Sequence, residues 1–387
     1  MNVAIFTDND FGKVNGVTTT LRAVLDHAPA DVRSRIYTCE DRHVEQAEYL
    51  ALKAPGVGIP FYREMKVYLP PLRRLASRAA ADRIDLIHLT TPGPIGLAAL
   101  YVASTLQLPM IGSFHTDLAA YARMLSGSAW LGRLMRGYLR WPYGKCERIF
   151  APSEATRRTL AEGGIDLSKI LIWRRGVSTD QFTPAKRSEA LRRRWGAGAE
   201  RPVLIYVGRL SKEKGLDLLE PLCGRLRRSG IDHQLVLVGD GPMRGELEAR
   251  CPGAVFTGTL SPADVATAMA SADLFVFPSR TDTAGNVVLE AQASGLPVLV
   301  TDEGGPQEHM RDGESGHVCA DLRAFARRVS ELIWSLERRR RLGAGARAYA
   351  VTQGWDTALA PLYDAYRGVG TRARVAGHFD VHPAAAR

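Results

Sequence analysis

The sequence has few of the features that mark a chain for export, crosslinking or membrane insertion. Its five cysteines, Cys39, Cys146, Cys223, Cys251 and Cys319, are scattered, odd in number and without CxxC spacing. That argues against both a disulfide framework and a zinc site. Met1 to Asp8 carries no basic segment, and its apolar run, Val3 to Phe6, is far too short for a signal peptide. Reduced thiols in a cytoplasmic protein are therefore expected. The longest stretch without Asp, Glu, Lys or Arg, Leu86 to Thr116, is interrupted by Pro92, Pro94 and Pro109. Only fourteen residues separate the last two prolines, against about twenty for a spanning helix. No membrane span is predicted.

Two nucleotide-binding signatures are also missing. No Walker lysine motif is present. The nearest approach to G-x-G-x-x-G, Gly239 to Gly245, is wrong by one residue, and the run Ala254–Thr257 has no acidic residue at its end to hold a ribose. Hydride transfer and P-loop chemistry are excluded on these grounds.

What is present is ordinary for a globular enzyme. Among 387 residues, 45% are hydrophobic, 24% charged and 7% aromatic, which excludes a disordered chain or a collagen-like fibre. The length predicts two domains. A net charge of +10 favours polyanionic or phosphate-bearing partners without choosing among them.

Short apolar runs alternate with helix-length amphipathic segments. One set comprises Val3–Phe6, Asp85–Leu89, Pro109–Ser113, Arg148–Ala151 and Ile170–Trp173. A second comprises Val203–Val207, Gln234–Gly239, Ala254–Thr257, Leu274–Phe277 and Pro297–Thr301. Near-continuous runs of this kind predict parallel strands covered on both faces, in an α/β protein. A basic, turn-rich region from Arg174 to Arg201 separates the sets. The expected organisation is two doubly wound Rossmann-like domains, 1–178 and 179–354, facing across a cleft, with a C-terminal helix at about 355–370 packing back on the first. The segment from Leu322 to Leu342 reads as helical, and the tail after Arg367 as frayed.

The first predicted strand runs into Thr7-Asp8-Asn9-Asp10, with glycines at Gly12 and Gly16. The D-x-D of Asp8 and Asp10 is explained by turn chemistry, and no metal site is expected, since no further carboxylate or histidine has ligand spacing. Gly16 opens a helix whose N–H groups can meet a phosphate, or it serves the turn alone. In the second half, Arg209 and Lys214 flank the end of Val203–Val207, with Lys214-Gly215 read as the start of the next helix. Two cations at a ligand-binding strand edge can clamp a diphosphate. The segment Phe277 to Glu290 reads as strand, polar loop and helix, with the helix beginning near Gly285 and Asp282 and Glu290 on the same side. Unpaired N–H groups at that helix start attract phosphate while the carboxylates accept from hydroxyls. The plain alternative has Asp282 as a helix cap and Glu290 merely buried.

Asp282 to Glu290, continuing into Ala291-Gln292-Ala293-Ser294-Gly295-Leu296-Pro297-Val298, resembles the E-x7-E element of the retaining family 4 glycosyltransferases of GT-B fold. Gly208 to Gly215 resembles the diphosphate-binding segment of that family, and Gly239-Asp240-Gly241-Pro242 its next strand-end loop. Asn15-Gly16-Val17, Ser113-Phe114-His115-Thr116 and Arg175-Gly176-Val177 sit where the family has such elements. The resemblance covers residues 1 to 366. It implies that Arg209 and Lys214 neutralise the leaving diphosphate, Gly16 meets it from the other domain, and Glu290 holds the ribose diol. It further implies His115 beside the donor sugar, Asp282 and the backbone of Gly285, Asn286 and Val287 on its hydroxyls, and Thr257 and Gly258 at the base. Retention without a metal or organic cofactor is implied as well. Two positions depart from the pattern: Asp282 is one methylene shorter than the commoner glutamate, and Ala284 replaces an aromatic.

Between Tyr121 and Arg148 the chain is basic and aromatic, with Arg123, Arg133, Arg136, Arg140, Lys145 and Arg148 among Trp130, Tyr138, Trp141 and Tyr143. Pro70 to Arg83 adds Arg73, Arg74, Arg78 and Arg83. Such a surface suits anionic lipid headgroups, or else it is a solvated helix face with aromatics packed inward. No nucleic-acid motif accompanies it, and no nucleic-acid partner is expected. The stretch from His115 to Trp141 also resembles the subgroup containing GDP-mannose-dependent lipid mannosyltransferases and sulfoquinovosyl diacylglycerol synthases. The resemblance thus implies a nucleotide-diphospho-sugar donor, mannose from GDP-mannose favoured, and a lipid or glycan acceptor at the inner membrane face. A UDP-sugar donor, a nucleotide-sugar epimerase of the same architecture and a non-enzymatic binder are the rival readings.

Overall fold

The computed structural model describes residues 1–11, 15–59, 62–198 and 201–375. Gly12 and the tail beyond 375 lie outside the described residues. The chain divides into two compact units, one of Met1–Arg174 with the chain from Ala358, the other of Arg175–Thr357. The division falls four residues before the position read from sequence, because the turn after Arg174 is held by the second unit. There Val177 N–H donates to Gln353 O at 2.9 Å, and a Cβ on Gly176 would lie 2.6 Å from the Trp355 ring.

The first unit is built on an eight-stranded sheet in the order β10-β9-β8-β7-β1-β2-β4-β3. Its strands are β1 (Asn2–Phe6), β2 (Arg33–Glu40), β3 (Val44–Glu45), β4 (Tyr49–Lys53), β7 (Leu86–Leu89), β8 (Met110–Ser113), β9 (Arg148–Ala151) and β10 (Ile170–Ile172), with a separate hairpin of β5 (Gly56–Ile59) and β6 (Tyr62–Tyr68). All pairings in the large sheet are parallel except β3 with β4. β1 is central, and Val3 to Phe6 are fully buried, as a parallel strand covered on both faces requires. The strands without an apolar run were not legible in the sequence. β2 begins Arg33-Ser34-Arg35, and its charge is tolerated because Arg35 pairs with Asp82 at 2.6 Å.

The C-terminal helix, Trp355–Val375, closes this unit. Leu359, Leu362 and Tyr366 are fully buried, Tyr363 donates to Val24 O at 2.8 Å, and Arg367 holds Asp31.

The second unit is a six-stranded parallel sheet in the order β13-β12-β11-β14-β15-β16. It comprises β11 (Val203–Val207), β12 (Gln234–Val238), β13 (Val255–Gly258), β14 (Leu274–Phe277), β15 (Val298–Thr301) and β16 (Gly316–Cys319). The Leu322–Leu342 segment is two helices, Leu322–Trp334 and Leu336–Val351. Ser335 leaves helical geometry and caps the second by accepting from Arg338 N–H. All five cysteines are buried thiols. Among the described residues, no helix is long and apolar enough to cross a membrane.

The strand-end loops of the second sheet touch backbone to backbone. Gly239 has φ +131°, and a Cβ there would sit 2.0 Å from Gly208 O. Gly239→Ala is therefore expected to destabilise the protein by about 2 kcal/mol or more, lowering the melting temperature by roughly 4–8 °C. Differential scanning calorimetry checks this; an unchanged melting temperature would contradict the backbone contact.

Candidate functional site

In open α/β sheets, ligands bind beyond the strand C-termini where the strand order reverses. In the second unit that point lies between β11 and β14, the neighbours from which the order runs in opposite directions. The loops there are Gly208–Gly215 and Pro278–Gly285. Across the switch point Lys214 Nζ donates to Asp282 Oδ1 at 2.7 Å and Oδ2 at 2.9 Å. The two side chains are 17% and 19% exposed, so a ligand can reach both.

Local structure holds this pair in place. Lys212–Lys214 forms a 3₁₀ turn, Leu216–Leu218 a second, and the regular helix starts only at Leu219. The helix read at Lys214-Gly215 is therefore displaced, because Gly215 adopts a left-handed conformation at φ +66° that an α-helix cannot contain. The turn is fastened to the β14 loop. Thr281 Oγ1 donates to Glu213 O at 2.9 Å and Ser279 Oγ to the same oxygen at 3.4 Å, while the buried Glu213 carboxylate accepts from Ser211. Arg209 stands one residue beyond Gly208, its carbonyl accepting from Tyr206 Oη at 2.9 Å. The Tyr206 ring stacks on Phe277 at 6.0 Å, joining the floors of both loops.

Gly285 is the N-cap of the helix Asn286–Ala293 and gives it no side-chain cap. Asp282, the alternative cap, is turned to Lys214 instead, and its carbonyl accepts from Gly305 N–H at 2.8 Å. The helix start, with Asn286 and Val287, therefore presents backbone to the switch point. Glu290 follows one turn later, half-buried. Burial pushes its carboxyl up to about 7, and among the described residues no hydrogen bond or ion pair is recorded for that carboxylate. Gly239 N–H donates to Gly258 O at 2.9 Å, and Thr257 Oγ1 to the same oxygen at 2.9 Å. The ends of β11, β12, β13 and β14 thus gather Arg209, Lys214, Gly239, Thr257, Gly258, Asp282, Gly285, Asn286, Val287 and Glu290 along one sheet edge.

Gly16 and His115 belong to the first unit. Gly16 opens the helix Gly16–Asp26, but Asn15 Oδ1 already accepts from Val17 and Thr18 N–H. The donor capacity expected of that helix start is correspondingly reduced. Asp8 accepts from Thr91 Oγ1 at 2.7 Å, Ile95 N–H at 2.9 Å and Gly96 N–H at 3.3 Å. It caps the helix Pro94–Leu106, and the bonds offset part of the burial that raises its pKa. His115 follows β8 and shares a hydrogen bond with Ser113 Oγ at 2.8 Å. Sequence reasoning missed what stands behind it: His88 on β7, Trp173 after β10 and Tyr366 on the C-terminal helix. The only signal was a histidine within the apolar run Leu86-Ile87-His88-Leu89.

The basic aromatic segment forms two helices, Leu118–Ser126 and Ala129–Gly144. Its aromatics divide. Tyr143 is buried and Tyr138 bonds Pro92 O, while Trp130, Leu134 and Trp141 are 63%, 54% and 55% exposed. Their spacing places them on one helical stripe, with exposed Arg133, Arg136, Arg140 and Lys145 on the same helix or its cap. Arg78, expected to add to this basic surface, is taken up by Glu45 and Asp82.

Two family profiles match the chain: Glycosyltransferase Family 4 over residues 14–181 and Glycosyl transferases group 1 over residues 201–334. A GDP-mannose-dependent alpha-mannosyltransferase of Corynebacterium glutamicum is 32% identical, over 95% of this chain and 89% of the relative. An alpha-monoglucosyldiacylglycerol synthase of Streptococcus pneumoniae is 26% identical, over 77% of this chain and 70% of the relative. Among solved structures, a sucrose-phosphate synthase of Thermosynechococcus elongatus superposes with a TM-score of 0.77 at 17% identity, covering 96% of this chain and 99% of its own. That likeness establishes the fold.

Glu290 supplies a test of the site's electrostatics. Its pKa is raised from 4.5 to about 7, so the folded state holds the proton more tightly than the unfolded chain. Stability from this group is full below pH ~4.5 and declines as pH rises to about 7, by a total of roughly 3 kcal/mol. Glu290→Gln is expected to leave stability near pH 4.5 unchanged and to raise it above pH 7. Urea denaturation at both pH values checks this; equal effects at the two would contradict a raised carboxyl.

Proposed function

Because this chain belongs to the family 4 glycosyltransferases and has their GT-B fold, we propose that this hexosyltransferase moves mannose from GDP-mannose to a lipid or lipid-linked acceptor with retention of configuration. The observation that carries the reading is the Lys214–Asp282 pair at the switch point of the second sheet, beside a helix start without a side-chain cap. The mannosyl assignment is supported by the relative from Corynebacterium and the lipid acceptor by the alpha-monoglucosyldiacylglycerol synthase. The glucosyl group in the latter name also favours the second reading, a glucosyl-type enzyme.

The chemistry follows from charge. Breaking the bond between the sugar and the diphosphate builds positive charge on the ring and negative charge on the departing phosphate. Fixed cations and a helix N-terminus aimed at that phosphate stabilise the transition state. Lys214 and Arg209 take that role, with Gly239 allowing close backbone approach. In the ligand-free site both Asp282 carboxylate oxygens accept from Lys214. On donor binding the phosphate replaces Asp282 as the partner of Lys214, and Asp282 turns to the sugar hydroxyls with the Gly285–Val287 backbone. Glu290 accepts from the ribose diol, Thr257 and Gly258 border the base, and Gly16 and His115 serve the donor from the first unit. Attack from the leaving-group face, with a donor phosphate oxygen helping to remove the acceptor proton, needs no covalent nucleophile, metal or organic cofactor.

The exposed stripe of Trp130, Leu134 and Trp141 with its arginines supports peripheral contact with an anionic membrane, at the cytoplasmic face. Aromatic rings enter the interface while the guanidinium groups meet lipid phosphates.

Two outcomes test this reading. Lys214→Ala is expected to reduce transfer of labelled mannose into lipid extract by about 100-fold or more with an unchanged circular dichroism spectrum; retained activity would contradict the diphosphate role. Sedimentation with vesicles is expected to need anionic lipid, weaken with salt and fail for a Trp130→Ala/Trp141→Ala variant. Equal binding to neutral vesicles would contradict the role of the arginines, and an absence of sedimentation with anionic vesicles would remove the membrane contact.

A further inference from the structure

Behind His115 runs a hydrogen-bond chain contained entirely in the first unit. His115 Nε2 lies 2.8 Å from Ser113 Oγ, which lies 2.8 Å from His88 Nε2. His88 Nδ1 lies in turn 2.7 Å from Tyr366 Oη. His88, Ser113 and Tyr366 are fully buried. Trp173, also fully buried, packs against both imidazoles, with ring centroids 5.9 Å from His115 and 6.4 Å from His88. Neither ring can swing without displacing it.

The direction of the chain follows from proton counting. A neutral imidazole has one donor and one acceptor nitrogen, and a phenol has one proton to give. Among the described residues, the only hydrogen-bond acceptor recorded for Tyr366 Oη is His88 Nδ1. A buried hydroxyl proton left without an acceptor is unfavourable, so Tyr366 donates. His88 Nδ1 then accepts and its proton resides on Nε2, from which it donates to Ser113 Oγ. Ser113, with its oxygen engaged by His88, gives its own proton to His115 Nε2. The other direction would leave the Tyr366 proton facing the N–H of His88. Burial agrees with this arrangement: it pushes His88 down to about 3, keeping it neutral, and pushes the Tyr366 phenol well up.

We infer that Tyr366, His88 and Ser113 are positioning residues that fix His115 as its Nδ1–H tautomer, with Nε2 accepting from Ser113. The inference deepens the transferase reading and rests on it for the role of His115. It also gives the C-terminal helix a duty beyond packing, since the residue that orients the chain lies on it, 278 positions from His88.

The test is the tautomer itself. In ¹⁵N-histidine-labelled, ligand-free protein, long-range ¹H–¹⁵N spectra distinguish protonated from bare ring nitrogens, and His115→Gln identifies the His115 signals. The expected result is a bare Nε2 and protonated Nδ1 on His115, with the reverse on His88. In Tyr366→Phe both rings should become tautomer mixtures, kcat should fall about tenfold or more, and KM for the donor should stay within about twofold. Ser113→Ala should disorder the His115 tautomer while His88 keeps its own, and Ser113→Thr, which retains a hydroxyl, should restore both tautomer and kcat. A His115 protonated on Nε2 in the wild type, or tautomers and kcat unchanged in Tyr366→Phe, would overturn the inference. The expected tautomers in a wild-type protein that transfers no sugar would uphold the relay and refute the transferase reading.

Discussion

The contact between Lys214 and Asp282 organises the second domain's ligand edge. It bridges the two strands between which the sheet reverses order, so it lies where the fold itself opens a crevice. Surface ion pairs contribute little to stability, and this one is accessible enough that its energy is modest. Its importance is positional. Lys214 is held in place by both carboxylate oxygens of Asp282, and a carboxylate is itself a group that can accept from hydroxyls. The bonds from Thr281 and Ser279 to Glu213, and the Tyr206–Phe277 stack, keep the two loops in register around it.

Two features beside that pair stand out. The helix at Asn286 begins without a side-chain cap, and Glu290 is pushed toward neutrality because, among the described residues, no hydrogen bond or ion pair offsets its burial. Both features weaken an empty protein and suit one that receives a phosphate and a diol. The first domain behaves differently. Asp8 and Asn15 consume N–H groups of the helices they cap, so that edge offers fewer backbone donors, and His115 stands there with the buried chain behind it. The second domain has a helix start without a side-chain cap and a carboxyl raised by burial; the first spends polar groups on helix caps and on the chain behind His115.

Much of this was legible in the sequence, for physical reasons. Strands covered on both faces are continuous apolar runs, so β1, β7 to β9, β11, β12, β14 and β15 stood out, and the residues at their C-terminal ends followed. Strands such as β2, with Arg33 and Arg35, and β16 at the sheet edge carry no such run. Lys214 was placed at the right edge but on the wrong element, since a left-handed glycine interrupts the helix there. Asp282 also read as a helix cap, and only the folded loop turns it toward Lys214. The relay was invisible because it joins β7, β8 and the C-terminal helix, and no local pattern announces that a histidine in an apolar strand will meet a tyrosine hundreds of residues away.

The central claim is that this switch point binds a nucleotide diphosphate through Lys214. The most direct measurement is thermal unfolding with GDP, UDP and ADP titrated separately against the wild type and Lys214→Ala. A ligand at about a hundred times its dissociation constant adds roughly 2.7 kcal/mol of stability, a shift of several degrees for a chain of this size. The account predicts a shift with GDP in the wild type and its loss in the variant. No shift with any nucleotide, or the same shift in both proteins, would contradict it.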